Sequence, residues 1–164
     1  LTNVIYGTRG LELLRSGLPP QEALERILRV DPERESRQVT MIDTQGRTAA
    51  FTGKACLDWK GHLVGENYVV AGNMLVGAQV VQAMAEAFET SQGELEGRLL
   101  SALESGQKSG GDKRGKRSAA LLVMKRPEYR GVRPFIDLRV DYHEDPVKEL
   151  RRIFEAYKAW GIQL

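Results

Sequence analysis

The sequence predicts an α+β fold, with helices layered on a mainly antiparallel sheet. Three observations carry that expectation. Amphipathic helical stretches come in pairs, at residues 8–17 with 20–30 and at 80–88 with 94–104. Strand-like runs separate the pairs and include a hairpin, at residues 38–43 and 47–52 around Thr44-Gln45-Gly46. The resulting order, α-α-β-β-β-α-α-β-β-α, does not alternate strand with helix as a βαβ protein would. Five strands are few for so much helical surface. Two helices are therefore expected to pack on something outside the chain.

Each element has its own local reason. Residues 1–7 finish a strand or form a lead-in, and Thr8 is placed to cap a helix carrying Leu11, Leu13 and Leu14, with Gly17 as its stop. Pro19-Pro20 opens a second helix, where proline is tolerated in the first turn. Ala23, Leu24, Ile27 and Leu28 form its apolar face, and Asp31-Pro32 ends it. Gly46 suits the positive φ of the hairpin turn. Cys56, Trp59, Gly61 and His62 are expected in a loop.

Residues 67–71 are expected as a strand buried on both faces, because Tyr68, Val69 and Val70 show no polar alternation. Asn73 follows at its end. In the long helix, Val80, Met84 and Phe88 share a stripe with Val81 and Ala85. The next helix turns Leu95, Leu99, Leu100 and Leu103 inward. Residues 106–117, GQKSGGDKRGKR, form a Gly-rich basic loop that feeds a strand at 118–124. Another strand at 134–140 leads to a last helix from Asp145-Pro146. Val147, Leu150, Ile153, Phe154 and Tyr157 face its buried side.

Composition narrows the function classes. The 164 residues suit one domain, and 41% hydrophobic with 28% charged residues is ordinary for a globular protein. Lys plus Arg number 24 against 22 Asp plus Glu, so net charge points to neither nucleic acid nor membrane. No apolar run reaches membrane-spanning length and no signal peptide opens the chain. The cytoplasm is the default compartment, which the sequence leaves open. The single Cys56 excludes an internal disulfide and a Cys-based zinc site, and it reads as a small buried hydrophobe. No cofactor is expected.

None of G-x-S-x-G, H-E-x-x-H, the P-loop or G-x-G-x-x-G occurs. His62 and His143 lack metal-ligand neighbours at helical spacing. His143 with Asp141, Glu144 and Asp145 reads as a polar turn and helix cap. Asp137 and Asp141 read as solvated strand positions. The constellation with most chemistry is Gly110-Gly111-Asp112 with Arg114, Lys116, Arg117 and Ser118. Consecutive glycines let backbone N–H groups approach an anion, and the cations add attraction. A mobile solvated loop is the plainer reading. Against it, a loop that enters a core strand is fixed at the strand's mouth. Asn73 is a candidate at a strand end, or a turn residue that tolerates left-handed φ.

Five segments together resemble a known family. They are YGTRGLELLRSG, RQVTMIDTQGRTAAFTG, GNMLVG with its helix, GGDKRGKRSAALLV and DLRVDYHEDPVKELRRIFE. The family is an uncharacterised one, domain of unknown function 1028, placed in the N-terminal-nucleophile (Ntn) hydrolase superfamily. The resemblance covers essentially the whole chain. It implies a four-layer αββα sandwich and an amidohydrolase acting on a small amide or peptide-like substrate. Its nucleophile would be an N-terminal Thr, Ser or Cys with its own α-amino group as base.

Members of that family carry a further N-terminal segment, starting near a Thr-Phe-Ser-Ile-like strand, ahead of Tyr6-Gly7. It would supply the first central strands and the nucleophile. The sequence lacks it, which suggests a fragment or a sheet completed by a second polypeptide. Thr2 is a poor replacement, since it leads into a helix. Asn73, Asp112, Arg117 and Ser118 would then line the cleft facing the nucleophile. Asn73 would serve as an oxyanion donor and Arg117 as a carboxylate clamp. Gly110, Gly111 and Arg114 would complete the substrate contacts. The competing readings are a non-catalytic module for an anionic ligand and a structural partner subunit. Homo-oligomerisation is expected, since sheet edges and helix faces need covering.

Overall fold

The computed structural model describes residues 3–124 and 134–160. It is a mixed α+β structure of five helices and three antiparallel hairpins. Helix α1 (Ile5–Arg15) starts three residues before Thr8, so Thr8 is helical and not a cap. Gly17, at φ +91°, ends it, with Gly17 N–H donating to Leu14 O and Leu18 N–H to Leu13 O. That pattern is the left-handed glycine stop of a helix. Helix α2 (Pro20–Arg29) begins at proline as expected and buries Ala23, Leu24, Ile27 and Leu28. Thr2 lies outside the described residues.

Strands β1 (Gln38–Ile42) and β2 (Thr48–Thr52) form the expected hairpin, with Gly46 at φ +79° in its turn. Period-2 alternation divides the hairpin cleanly. Met41 and Ala49 are directly opposite each other and join the α1–α2 core, with Val39 and Phe51 packed beside them. Gln38, Thr40 and Thr52 point the other way, onto a second hairpin.

That second hairpin contains a strand the sequence did not announce. Residues expected as loop form β3 (Gly61–Gly65), which pairs with β4 (Tyr68–Gly72). The turn is Glu66-Asn67, with Asn67 at φ 62°. Strand β4 is not buried on both faces as expected, since Val70 alone is buried and its neighbours are half-buried. Gln38 Nε2 bonds Gly61 O at 3.1 Å and Gly72 O at 2.9 Å, which locks the two hairpins together. Thr52 Oγ1 lies 2.8 Å from His62 Nδ1 along the same seam.

Helices α3 (Gln79–Thr90) and α4 (Leu95–Lys108) pack on each other. Val81 and Ala85 of α3 form a core with Val70 of β4. Leu95 is exposed, because it sits at the solvated start of α4, whereas Leu100 is fully buried. Helix α4 runs through Gly106, which therefore belongs to the helix and not to the basic loop. A Cβ there would lie 2.6 Å from Met84 Cγ, so glycine permits the close helix contact. Strands β5 (Ala119–Val123) and β6 (Ile136–Val140) form the third hairpin. Leu121, Val123, Ile136 and Val140 pack under Leu100 and helix α5 (Pro146–Ala159), through Leu150 and Phe154.

No hydrogen bonds join β4 to β5. A gap of about 410 Å³ separates them, with Val69, Val70 and Ala71 on one side and Ala120, Leu121 and Leu122 on the other. Among the described residues no helix is long and apolar enough to cross a membrane.

A buried polar knot ties the end of α2 to β1. Asp31 and Arg37 are each only 8% exposed. The Asp31 carboxylate accepts from Arg37 Nε at 2.9 Å, Tyr6 Oη at 2.7 Å and the Glu33 amide at 2.8 Å. The Arg37 bond, reinforced by Tyr6, holds the Asp31 carboxyl well below the usual carboxylate range. A depressed carboxyl stabilises the fold above its unfolded value, so that contribution starts to be lost as pH falls below about 4. Burial, then the Asp31 bond, push the Tyr6 hydroxyl up to about 12. A raised group stabilises the fold below its unfolded value, near pH 10, and that stability is lost as pH climbs further toward the folded value. Tyr68, raised to about 12 by its bond to Glu89, has the same sign. Tyr6→Phe should therefore flatten, without abolishing, the alkaline fall in urea midpoint. An alkaline arm identical to the wild type would mean Tyr6 contributes nothing to it.

Candidate functional site

Beyond Lys108 the chain must reverse from α4 into β5, and two glycines make the turn. Gly110 sits at φ +116° and Gly111 at φ +60°, a region that L side chains seldom adopt. Gly111 N–H donates to Gly106 O at 3.1 Å, closing the helix end. The next residues run alongside the segment that follows β4. Val76 N–H donates to Gly111 O at 3.1 Å and Lys113 N–H to Met74 O at 2.9 Å, around an antiparallel Leu75–Asp112 bridge. Leu75 in turn exchanges both backbone bonds with Trp59. Lys113 Nζ reaches Asp58 O at 2.5 Å. The loop is pinned, which overturns the plainer reading of a mobile solvated connection.

Its side chains sort into paired and unpaired cations. Arg114 grips the Asp112 carboxylate at 2.5 Å, and that bond holds the Asp112 carboxyl below its ordinary value. Lys116 Nζ lies 2.6 Å from Asp145, lowering that carboxyl likewise. Arg117 forms no ion pair with a described residue. Its guanidinium carbon sits 5.9 Å from the centre of the Tyr142 ring, and its carbonyl accepts from His143 N–H at 2.9 Å. The backbone at Arg117 is thus fixed while its charge stays available.

These groups rim a cleft of about 680 Å³. Asp112, Arg114, Lys116, Arg117 and Ser118 lie along its polar rim, over an apolar floor that includes Val80 and Met84. The cleft continues the β4–β5 gap, since Ala71 and Ala120 line both. The structure therefore brings together five of the expected residues, Gly111, Asp112, Arg114, Arg117 and Ser118. Gly110 is not part of the lining and acts through the turn. Ser118 is exposed, and among the described residues no base is hydrogen-bonded to its hydroxyl.

Asn73 lies elsewhere. It lines a separate cavity of about 470 Å³ with Asn3, Tyr6, Arg37, Gln38 and Cys56. Its Nδ2 donates to Gln38 Oε1 at 2.9 Å, so it belongs to the seam between hairpins. Cys56 is half-buried there, rather than a core hydrophobe. His143 behaves as the expected polar turn, accepting from Asp145 N–H at 2.9 Å, while Asp145 spends its side chain on Lys116 and not on a cap. His62 is a strand residue bonded to Thr52. Among the described residues no three His, Cys, Asp or Glu side chains cluster as a metal site. Gln38 was not singled out by sequence reasoning. Its signal was a polar residue opening a strand whose other positions alternate cleanly.

The match to known proteins follows this geometry. The family described as "Family of unknown function (DUF1028)" matches residues 1–150. The chain belongs to the DUF1028 family. The crystal structure of protein SPO2555 from Silicibacter pomeroyi, a DUF1028 protein, superposes with a TM-score of 0.83 at 34% identity. The alignment covers 94% of this chain and 65% of that one, so the chain spans just under two thirds of its relative's length. No curated protein matches.

The pinned loop generates a direct test. A Cβ on Gly110 would lie 2.4 Å from Val76 Cγ2 and would also demand φ +116° of a side-chain-bearing residue. Gly110→Ala should loosen the Leu75–Asp112 bridge and speed amide exchange at Lys113 by about tenfold or more, given a strain of order 1–3 kcal/mol. Unchanged exchange at Lys113 would show that the loop does not depend on the turn.

Proposed function

We propose that the cleft anchors a small amide or peptide-like molecule through a carboxylate, as the substrate-binding half of an amidohydrolase of the Ntn type. The observation that carries the anchoring is Arg117, its backbone fixed at the rim and its side chain without a carboxylate partner among the described residues, while Arg114 and Lys116 are neutralised by Asp112 and Asp145. A guanidinium offers planar, two-pronged donation that matches a carboxylate. The apolar floor suits the remainder of such a molecule.

The hydrolytic half rests on the family resemblance and on layering. Helices α1 and α2 cover one hairpin, that hairpin lies on the next, and α3 and α4 cover the far side. This helix–sheet–sheet–helix order supports an αββα sandwich. Among the described residues Ser118 is the one hydroxyl on the cleft lining, and no His, Cys or Thr accompanies it. We therefore assign the nucleophile to polypeptide outside the described residues. The same lining favours a second reading, a binding module without turnover.

Calorimetric titration with N-acyl amino acids and their methyl esters separates the possibilities. The acids should bind and the esters should not, and Arg117→Gln should weaken binding by about tenfold or more, the cost of a lost charge-assisted pair. Equal binding of acids and esters would overturn the carboxylate anchor. Hydrolysis of the bound amide would decide for the enzyme over the binding module.

A further inference from the structure

Lys116 borders a second pocket besides the cleft. It encloses about 410 Å³ and lies between the end of α4 and the start of α5. Lys108 of α4, Lys116 of the basic loop, and Lys148 and Arg151 of α5 line it, against the carboxylates of Glu104 and Asp145. Cations from three separate elements therefore converge on one concavity. A merely solvated charged face would present them along a single helix.

Both lining carboxylates are already engaged. Glu104 accepts from Arg151 Nε at 2.8 Å and from Arg151 Nη2 at 3.0 Å. Arg151 also lies 3.4 Å from Glu155. Asp145 accepts from Lys116 Nζ at 2.6 Å. It makes no side-chain cap on α5, so the positive end of that helix adds to the same field. Among the described residues, Lys108 and Lys148 form no ion pair. Their two charges are the pocket's excess.

We propose that this pocket binds a terminal phosphate group, as inorganic phosphate or as a phosphate monoester. Such a group carries roughly −1.5 to −2 charge at pH 7, which matches the two uncompensated lysines. Its three oxygens accept from several directions, which suits compact ammonium charges on flexible stems. A carboxylate, with two oxygens in one plane, is better served by an arginine fork such as Arg117. The volume exceeds that of a phosphate alone and leaves room for the organic group of an ester. Arg117 does not line the pocket, so the phosphate site is separate from the carboxylate anchor. The two cavities share Gln107, Lys116 and Val147, with Lys116 standing between them.

Calorimetric titration at constant ionic strength tests the site, with inorganic phosphate, phenyl phosphate and dimethyl phosphate as probes. The first two should saturate with a Kd of about 1 mM or tighter, and the singly charged diester should bind about tenfold or more weakly. The double variant Lys108→Gln/Lys148→Gln alters only exposed side chains, so its thermal midpoint without phosphate should be no lower than the wild type's. Its phosphate affinity should fall about tenfold or more through loss of charge-assisted contacts. Arg117→Gln should leave phosphate affinity unchanged, just as the double variant should leave binding of N-acyl amino acids unchanged. Absence of saturation, or equal affinity for the diester, would overturn the proposal. Phosphate binding that survives the double variant but is lost in Arg117→Gln would overturn it in favour of the cleft.

Discussion

One side chain, Gln38, sets where everything downstream can sit. Its Nε2 shares two hydrogens among Thr52 Oγ1, Gly61 O and Gly72 O, while its Oε1 accepts from Asn73. Gly61 and Gly72 are register partners at the open end of the second hairpin. The amide therefore holds the end of β4 at a fixed place beneath β1. From that point the chain passes through Met74 to Leu75, where the backbone bonds to Trp59 and to the basic loop. The loop then hands Ser118 to β5. The cationic rim is thus positioned through main-chain bonds that start at one half-buried amide, and its own charges contribute little to that placement.

The charges matter for what the rim can bind. Water screens exposed ion pairs, so Arg114–Asp112 and Lys116–Asp145 do little for stability. Their effect is on availability. Asp112 is held ionised by Arg114, so it is unsuited to donating a proton, and Arg114 offers an incoming carboxylate only a shared charge. Arg117 differs from its neighbours in having an aromatic ring rather than a carboxylate beside it. That distinction cannot be read from a run of alternating cations.

Most helices were legible because their signals are local. Pro20, Gly17 and the Leu24–Ile27–Leu28 stripe act within one or two turns of themselves. The same holds for the hairpin around Gly46. Strand β3 was not legible. It opens and closes with glycine, exposes Leu63 and Val64, and is held by pairing with β4 rather than by its own propensity. A short signal existed in Asn67, whose left-handed φ makes the two-residue turn. Gly106 misled in the opposite sense, since its role is to admit Met84 and not to break the helix. At the site, the run 110–118 announced itself through composition, whereas the separation of Asn73 from it depends on Gln38, thirty-five positions away.

Helices α3 and α4 both have strands to lie on, Val81 and Ala85 of α3 against Val70 of β4 and Leu100 of α4 against Leu121 of β5. Between those two strands Met84, Leu99 and Leu103 border the apolar gap. Leu122, 58% exposed, is the large apolar side chain on the gap's lining most open to water, and covering one such side chain contributes about 1.5–3 kcal/mol. Edge hydrogen bonds favour the same closure more weakly, at about 0.5–1.5 kcal/mol each, because water already satisfies an exposed edge. The ligand rim and the gap share Ala71 and Ala120, so whatever fills one borders the other.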